Sequence, residues 1–295
     1  MGTRNKLIGA STAAVAALAV AAPGASATEL FAGTAGKERL VVFSSKNPGD
    51  VDGAKVRGLA AGDRITGLDV RPCTRRVYAQ GTAEGTSRLY QLRLRVREGR
   101  VQIRGEVRAR PLGMRYMTDG RFFGFDFNPT VDRIRVVSEA DENKRVSPGE
   151  GGTRCPEEET PRAGTVTEDL PLQYALTDEN VLENPTVVGS GYTNNRAGAT
   201  ETELYGIDAG LDVLVEQDPP NNGTLNTVGE LGVDATRALG FDVARDNRAW
   251  AAIRRAGGNR SLLYRVNLDR GKVRKVGRIG GPERIQTLAT LGRVR

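Results

Sequence analysis

Three carboxylates recur inside one short phrase: Gly67-Leu68-Asp69, Gly124-Phe125-Asp126 and Gly240-Phe241-Asp242. Each phrase lies in an apolar run, so a fold that gathers these runs would crowd Asp69, Asp126 and Asp242 in one place. Crowded carboxylates can share protons, hold a hard cation such as Ca2+, or serve as an acid–base pair in hydrolysis or elimination. The plainer reading is that each Asp accepts backbone N–H groups and so holds one repeat against the next. Regular recurrence favours that plainer reading, because a site for one ligand needs asymmetry. No cofactor is therefore expected, with Ca2+ the one ion the carboxylates could take.

Other chemistry is narrowed by what the chain lacks. Among 295 residues there is no histidine, which removes Ser-His-Asp and Cys-His mechanisms, imidazole bases and His-ligated zinc or copper. Cys73 and Cys155 are the only cysteines, too few for a metal centre. At the N-terminus Arg4 and Lys6 precede an uncharged run from Leu7 to Ala22 and a small-residue stretch, Ala25-Ser26-Ala27. That order is the pattern of a secretory signal cleaved after Ala27. The run is shorter than the roughly 20 residues of a membrane span, and no later stretch is apolar enough for one. Residues 1–27 therefore read as a leader and residues 28–295 as one secreted domain. Losing Arg4 and Lys6 lowers the formal net charge from +7 to +5, and an oxidising destination favours a Cys73–Cys155 bridge.

The elements that position these groups are short strands. Phe122 to Ser138, FFGFDFNPTVDRIRVVS, is two alternating runs flanking a turn built on Asn128-Pro129 and Asp132, the signature of a hairpin. Its echoes begin at Ile65, Val187 and Ala238, with a lone counterpart at Ile285. Repeats of about 40 to 50 residues with four strands each indicate propeller blades. The second unit reads as strands from Ile65, Arg75, Ser87 and Arg100, and Gly149 to Pro171 reads as a long exposed loop. The segment from Glu29 to Ala60 supplies three strands of a blade lacking its first, and Arg284 to Gly292 supplies that first strand. Pairing them would close the ring and hide two open sheet edges. The expected fold is all-β, a β-propeller of five four-stranded blades closed by a 3+1 blade of N- and C-terminal strands. In that phase Cys73 and Cys155 emerge on one face of the disc from neighbouring blades, within reach of a bridge.

Asymmetry is greatest on turns at one rim: Asn128, Asp132, Arg133, Arg135, Tyr192, Asn194, Asn195, Asn221 and Asn222. These are candidates for a binding surface, against the competing reading that turns simply require such residues. Arg93, Arg95, Arg97, Arg100, Arg104, Arg108 and Arg110 alternate along strands. They read either as a polyanion-binding face or as the solvent side of outer strands, and the second reading is the plainer. Few aromatics interleave with them, so nucleic acid is not expected as a partner.

The segments ITGLDVRPCTRRVY, FFGFDFNPTVDRIRVVS, ELYGIDAGLDVLVEQDPPNNGTLNTVGELG and GFDVARDN resemble the bacterial domain-of-unknown-function family 4394. The likeness covers nearly all of Ile65 to Leu291. It implies an exported, propeller-like protein with no settled activity and no catalytic residues to transfer; the acidic stretch from Cys155 to Glu159 departs from the family's pattern. The expected function is an exported, monomeric, non-catalytic propeller that binds an unknown ligand or acts as a scaffold. The alternatives are a carboxylate-dependent hydrolase or lyase using the three Asp residues, and a structural or adhesive envelope component.

Overall fold

The structure, a computed structural model, describes residues 28–97, 101–156, 161–281 and 284–294. The leader expected over residues 1–27 lies outside these, as do residues 157–160 of the acidic stretch. Among the described residues the fold is all-β with a single 3-10 turn, Pro220–Asn222, and no helix is long and apolar enough to cross a membrane.

Strands β1 (Thr28–Ala35), β2 (Arg39–Ser44) and β3 (Asp52–Arg57) open the chain. They are followed by β4 (Arg64–Val70), β5 (Val77–Ala83), β6 (Thr86–Arg93) and β7 (Val107–Met117). Next come β8 (Phe123–Asn128), β9 (Arg133–Ser138), β10 (Asn143–Val146), β11 (Val166–Glu168) and the short β12 (Gln173–Tyr174). Two further meanders are β13 (Val187–Tyr192), β14 (Leu204–Asp208), β15 (Val213–Gln217), β16 (Thr224–Glu230) and β17 (Ala235–Val243), β18 (Ala249–Arg255), β19 (Ser261–Val266), β20 (Val273–Arg278). The last strand, β21 (Ile285–Val294), pairs antiparallel with β1 in a register that sets Leu288 opposite Gly33. The two ends of the described chain thus share one sheet, as the sequence leads one to expect.

The meanders are packed face to face. Strand β4 packs on β8, β8 on β13, β13 on β17, β17 on β21 and β21 on β4. Apolar clusters fill the spaces between neighbouring sheets. Phe31 and Phe43 meet Trp250 and Leu263 in one, and Tyr78 and Leu89 meet Phe125 and Val136 in another. Trp250 is 4% exposed and lies edge-on to Phe31 at 5.1 Å, which accounts for the single tryptophan by packing.

Three details differ from the strand reading of the sequence. The outer strand expected from Arg100 to Val107 is instead β7, from Val107 to Met117; Val101–Ile103 makes only a single bridge, Val96↔Ile103. Pro111 disguises β7, and it falls beyond Val107 and Arg108, the two positions at which β7 also pairs with β3. The span read as one exposed loop contains β11, which pairs with β10 through only three positions. Two parallel pairings, β3 with β7 and β12 with β16, link strands of different units. The first of them merges two meanders into one eight-stranded sheet.

The glycine of each Gly-x-Asp phrase is required by close approach. A Cβ on Gly240 would lie 2.4 Å from Leu288 N and Thr287 C, and one on Gly67 would lie 2.5 Å from the Phe125 ring. At Gly240 the obstacle is backbone, which cannot swing aside. Gly240→Ala is accordingly expected to cost about 1–3 kcal/mol, read as a lower urea midpoint with an unchanged m-value. An unaltered midpoint would mean that β17 and β21 are not in contact there.

Candidate functional site

The inner strand of each meander has an open edge whose N–H groups need acceptors. Asp side chains of the preceding inner strand supply them. Asp69 on β4 accepts from Phe127 N of β8 at 2.8 Å and from Val70 N. Asp126 on β8 accepts from Tyr192 N of β13 at 3.0 Å, and Asp242 on β17 accepts from Thr290 N of β21. Counted by the N–H one residue onward, the equivalent positions on β13 and β21 are Gly191 and Ala289. The ring therefore holds three carboxylates and two residues with little or no side chain, an asymmetry that the repeat reading understated.

These three carboxylates converge. Their oxygens lie within 4.8 Å of one another, and each residue is 1% exposed. Burial pushes all three carboxyls up: Asp69 and Asp126 well above the ordinary range, with repulsion from the other members adding to it, and Asp242 to about 7. Just along the axis the cavity lined by Gly67, Gly124, Gly189 and Gly240 is about 10 Å3, room for roughly one water. The carboxyls can share protons or take an ion, but none of them lines that cavity, and their burial leaves no approach for a sugar or peptide.

The rim candidates are largely engaged within the protein. Asp132, 4% exposed, pairs with the fully buried Arg71. Arg135, 2% exposed, donates to Asp169 at 2.6 Å, Asn143 at 2.7 Å and Asn221 at 2.8 Å, and its Nε to the Tyr192 hydroxyl at 3.4 Å. Asn128 accepts from Thr130 N and Oγ1, and Arg133 donates to the Val131 and Asp132 carbonyls. Asn194 exchanges hydrogen bonds with Asn247 across neighbouring turns. Asn195 is buried with its Oδ1 lacking a donor, while Asn221 and Asn222 sit exposed on the 3-10 turn. Cys73 and Cys155 form a disulfide across 82 residues of sequence.

The arginines form a second feature. Alternation in β6 and β7 turns Leu92, Val107 and Ala109 inward and leaves Arg93, Arg108 and Arg110 exposed. In the β6–β7 register Arg93 stands directly opposite Arg108, and Arg57 is the β3 partner of Arg108. Glu106 lies between Arg57 and Arg108, at 3.2 and 2.8 Å. A groove of about 680 Å3 is lined by Arg75, Arg76, Arg93, Arg95, Arg108 and Arg110, with no carboxylate among the described lining residues. Arg104 extends the strip at one end, where Glu106 also lines it. Arg75 and Arg76 come from the β4–β5 turn, where Arg75 holds a positive φ of 60°; they were missed in sequence because they look like ordinary turn residues. Among the sequence candidates, Arg97 is exposed outside the groove lining and Arg100 lies outside the described residues.

In overall shape the chain is similar to several solved structures at low identity. One is a chain of the nidogen/laminin complex, at 11% identity and a TM-score of 0.42, covering 90% of this chain and 98% of the other. Another is the Dos1 propeller, at 10% identity and 0.38, covering 83% and 58%. A third is a protein from Lactobacillus plantarum, at 10% and 0.39, covering 90% and 99%. No curated protein sequence matches the chain. Residues 39–289 match the model of the family described as Domain of unknown function (DUF4394), and the chain belongs to that family.

Proposed function

We propose that residues 28–295 form one exported, non-catalytic propeller of five four-stranded blades that binds a linear anionic polymer of the cell envelope along the β6–β7 groove. The observation that carries this reading is the arginine groove itself. Like charges directly opposite on neighbouring strands destabilise a sheet, yet Arg93 faces Arg108 there, within a groove whose described lining holds six arginines and no carboxylate, Glu106 offsetting only Arg108 from the groove's end. A polymer with regularly spaced phosphate or carboxylate groups would relieve that repulsion, and the guanidinium fork suits either group bidentately. The blade count is supported by the successive packing of β4, β8, β13, β17 and β21. Export is supported by the leader pattern and the disulfide. A hydrolase or lyase acting through the axial carboxyls is disfavoured because they are buried beside a cavity of water size.

The test is binding to poly(glycerol phosphate) and to alginate across a salt series. Binding to at least one should weaken linearly in log salt, and Arg93→Ala/Arg108→Ala should reduce the slope by about 2, one per lost contact. Slopes identical in the variant and the parent chain would remove the groove from the interaction. Failure of both polymers to bind at low salt would remove the reading.

A further inference from the structure

The axial carboxylates are over-supplied with negative charge and under-supplied with partners. Of their six oxygens, four receive backbone N–H groups, from Val70, Phe127, Tyr192 and Thr290. The remaining two, Asp126 Oδ2 and Asp242 Oδ1, are buried and receive no N–H or O–H from the described residues, and the Asp126 and Asp242 side chains lie against each other. Among the described residues none of the three carboxylates forms an ion pair with a lysine or arginine. A sealed group of acids costs several kcal/mol per uncompensated charge, so either shared protons or a bound cation neutralises them. The donor set is oxygen only, with no His and with both cysteines tied in the disulfide, which selects a hard cation. Mg2+ keeps several waters and demands octahedral geometry, and carboxylates that are each 1% exposed leave those waters little room. Ca2+ accepts irregular carboxylate coordination.

We propose that Asp69, Asp126 and Asp242 bind one Ca2+ on the axis, where the ion ties β4, β8 and β17 together. Gly191 and Ala289 at the two other ring positions leave the space into which the carboxylates converge. The role is structural and independent of the polymer groove, which lies on the outer strands β6 and β7.

Because the site is sealed, the ion must enter during folding. The full mature chain is unfolded in guanidinium with EGTA, then refolded by dilution into EGTA, 1 mM Ca2+ or 1 mM Mg2+, desalted, and assayed for metal by atomic emission and for Tm by calorimetry. Expected results are one calcium per chain and a Tm higher by about 5 °C in Ca2+ than in EGTA, with no rise in Mg2+. Asp126→Asn keeps the acceptor for Tyr192 N while removing a charge, and should retain no calcium. If that variant does not fold, the stoichiometry and Tm of the parent chain decide alone. No retained calcium with equal Tm values in EGTA and Ca2+ would overturn the proposal and leave shared protons as the neutralising charge. Equal stabilisation by Mg2+ would overturn it as well.

Discussion

A chain ended at Gly281 should show no cooperative unfolding transition and should aggregate at concentrations where the full chain stays dispersed. The reason is the number of unrelated tasks that β21 performs at once. Its backbone is paired with β1 from Thr28↔Val294 to Ala35↔Ile285, so its removal bares a strand in which Phe31, Ala32 and Ala35 are buried. Leu288 and Ile285 leave the cluster that holds Phe43 and Trp250. Thr290 N is the donor to Asp242, and Gly240 was fitted to the backbone at Leu288. Native stability amounts to only about 5–15 kcal/mol, and a flat apolar edge invites pairing with other chains. Far-UV circular dichroism and light scattering against urea provide the readout. A peptide spanning residues 284–294, added in trans, should restore a transition by adding the missing strand to the open edge. A truncated chain with an unchanged midpoint would show that β1 and β21 do not close the sheet in solution.

That closure was legible in the sequence because both ends carry fragments of one repeat. Glu29 to Ala60 matches three strands and Arg284 to Gly292 a single one, and only joining them completes the set. The Gly-x-Asp phrases were equally legible, since each recurrence reports one physical constraint: the glycine admits the neighbouring strand and the Asp caps its open N–H. What periodicity could not reveal is how far an individual Asp stands from the others. Gly191 and Ala289 occupy ring positions whose types do not advertise the relation, so three-fold crowding emerges only when the strands are placed. The arginines were visible one at a time, but a strand whose start shifted from Arg100 to Val107 changed their partners and set Arg93 against Arg108. Rim residues misled for a different reason. Asp132, Arg135 and Tyr192 look like surface chemistry, and they can be buried because each has a partner inside the protein: Asp132 pairs with Arg71, Arg135 with Asp169, and the Tyr192 hydroxyl accepts from Arg135.

Arg71 is the strongest such anchor, and its replacement by methionine is the second large effect. The side chain is fully buried, with Nε donating to Asp132 at 2.9 Å and Nη1 to the Tyr78 hydroxyl at 3.0 Å. It also reaches the Gly149 and Glu150 carbonyls at 2.8 and 3.3 Å, on the segment that Cys155 ties to Cys73. Arg71→Met preserves length and apolar contact but strands the Asp132 carboxylate without a counter-ion, a loss of about 3–5 kcal/mol. Removing the bridge through Cys73→Ser/Cys155→Ser should cost about 2–4 kcal/mol. The two losses should combine to less than their sum: with both tethers gone, the segment around Gly149 can lift away and admit water to Asp132, which lowers the penalty on its charge. Urea midpoints of the four chains in the cycle give the coupling directly. Strict additivity would show that the arginine and the disulfide hold that segment independently, and a loss below about 1 kcal/mol for Arg71→Met would show that the ion pair is already open to solvent.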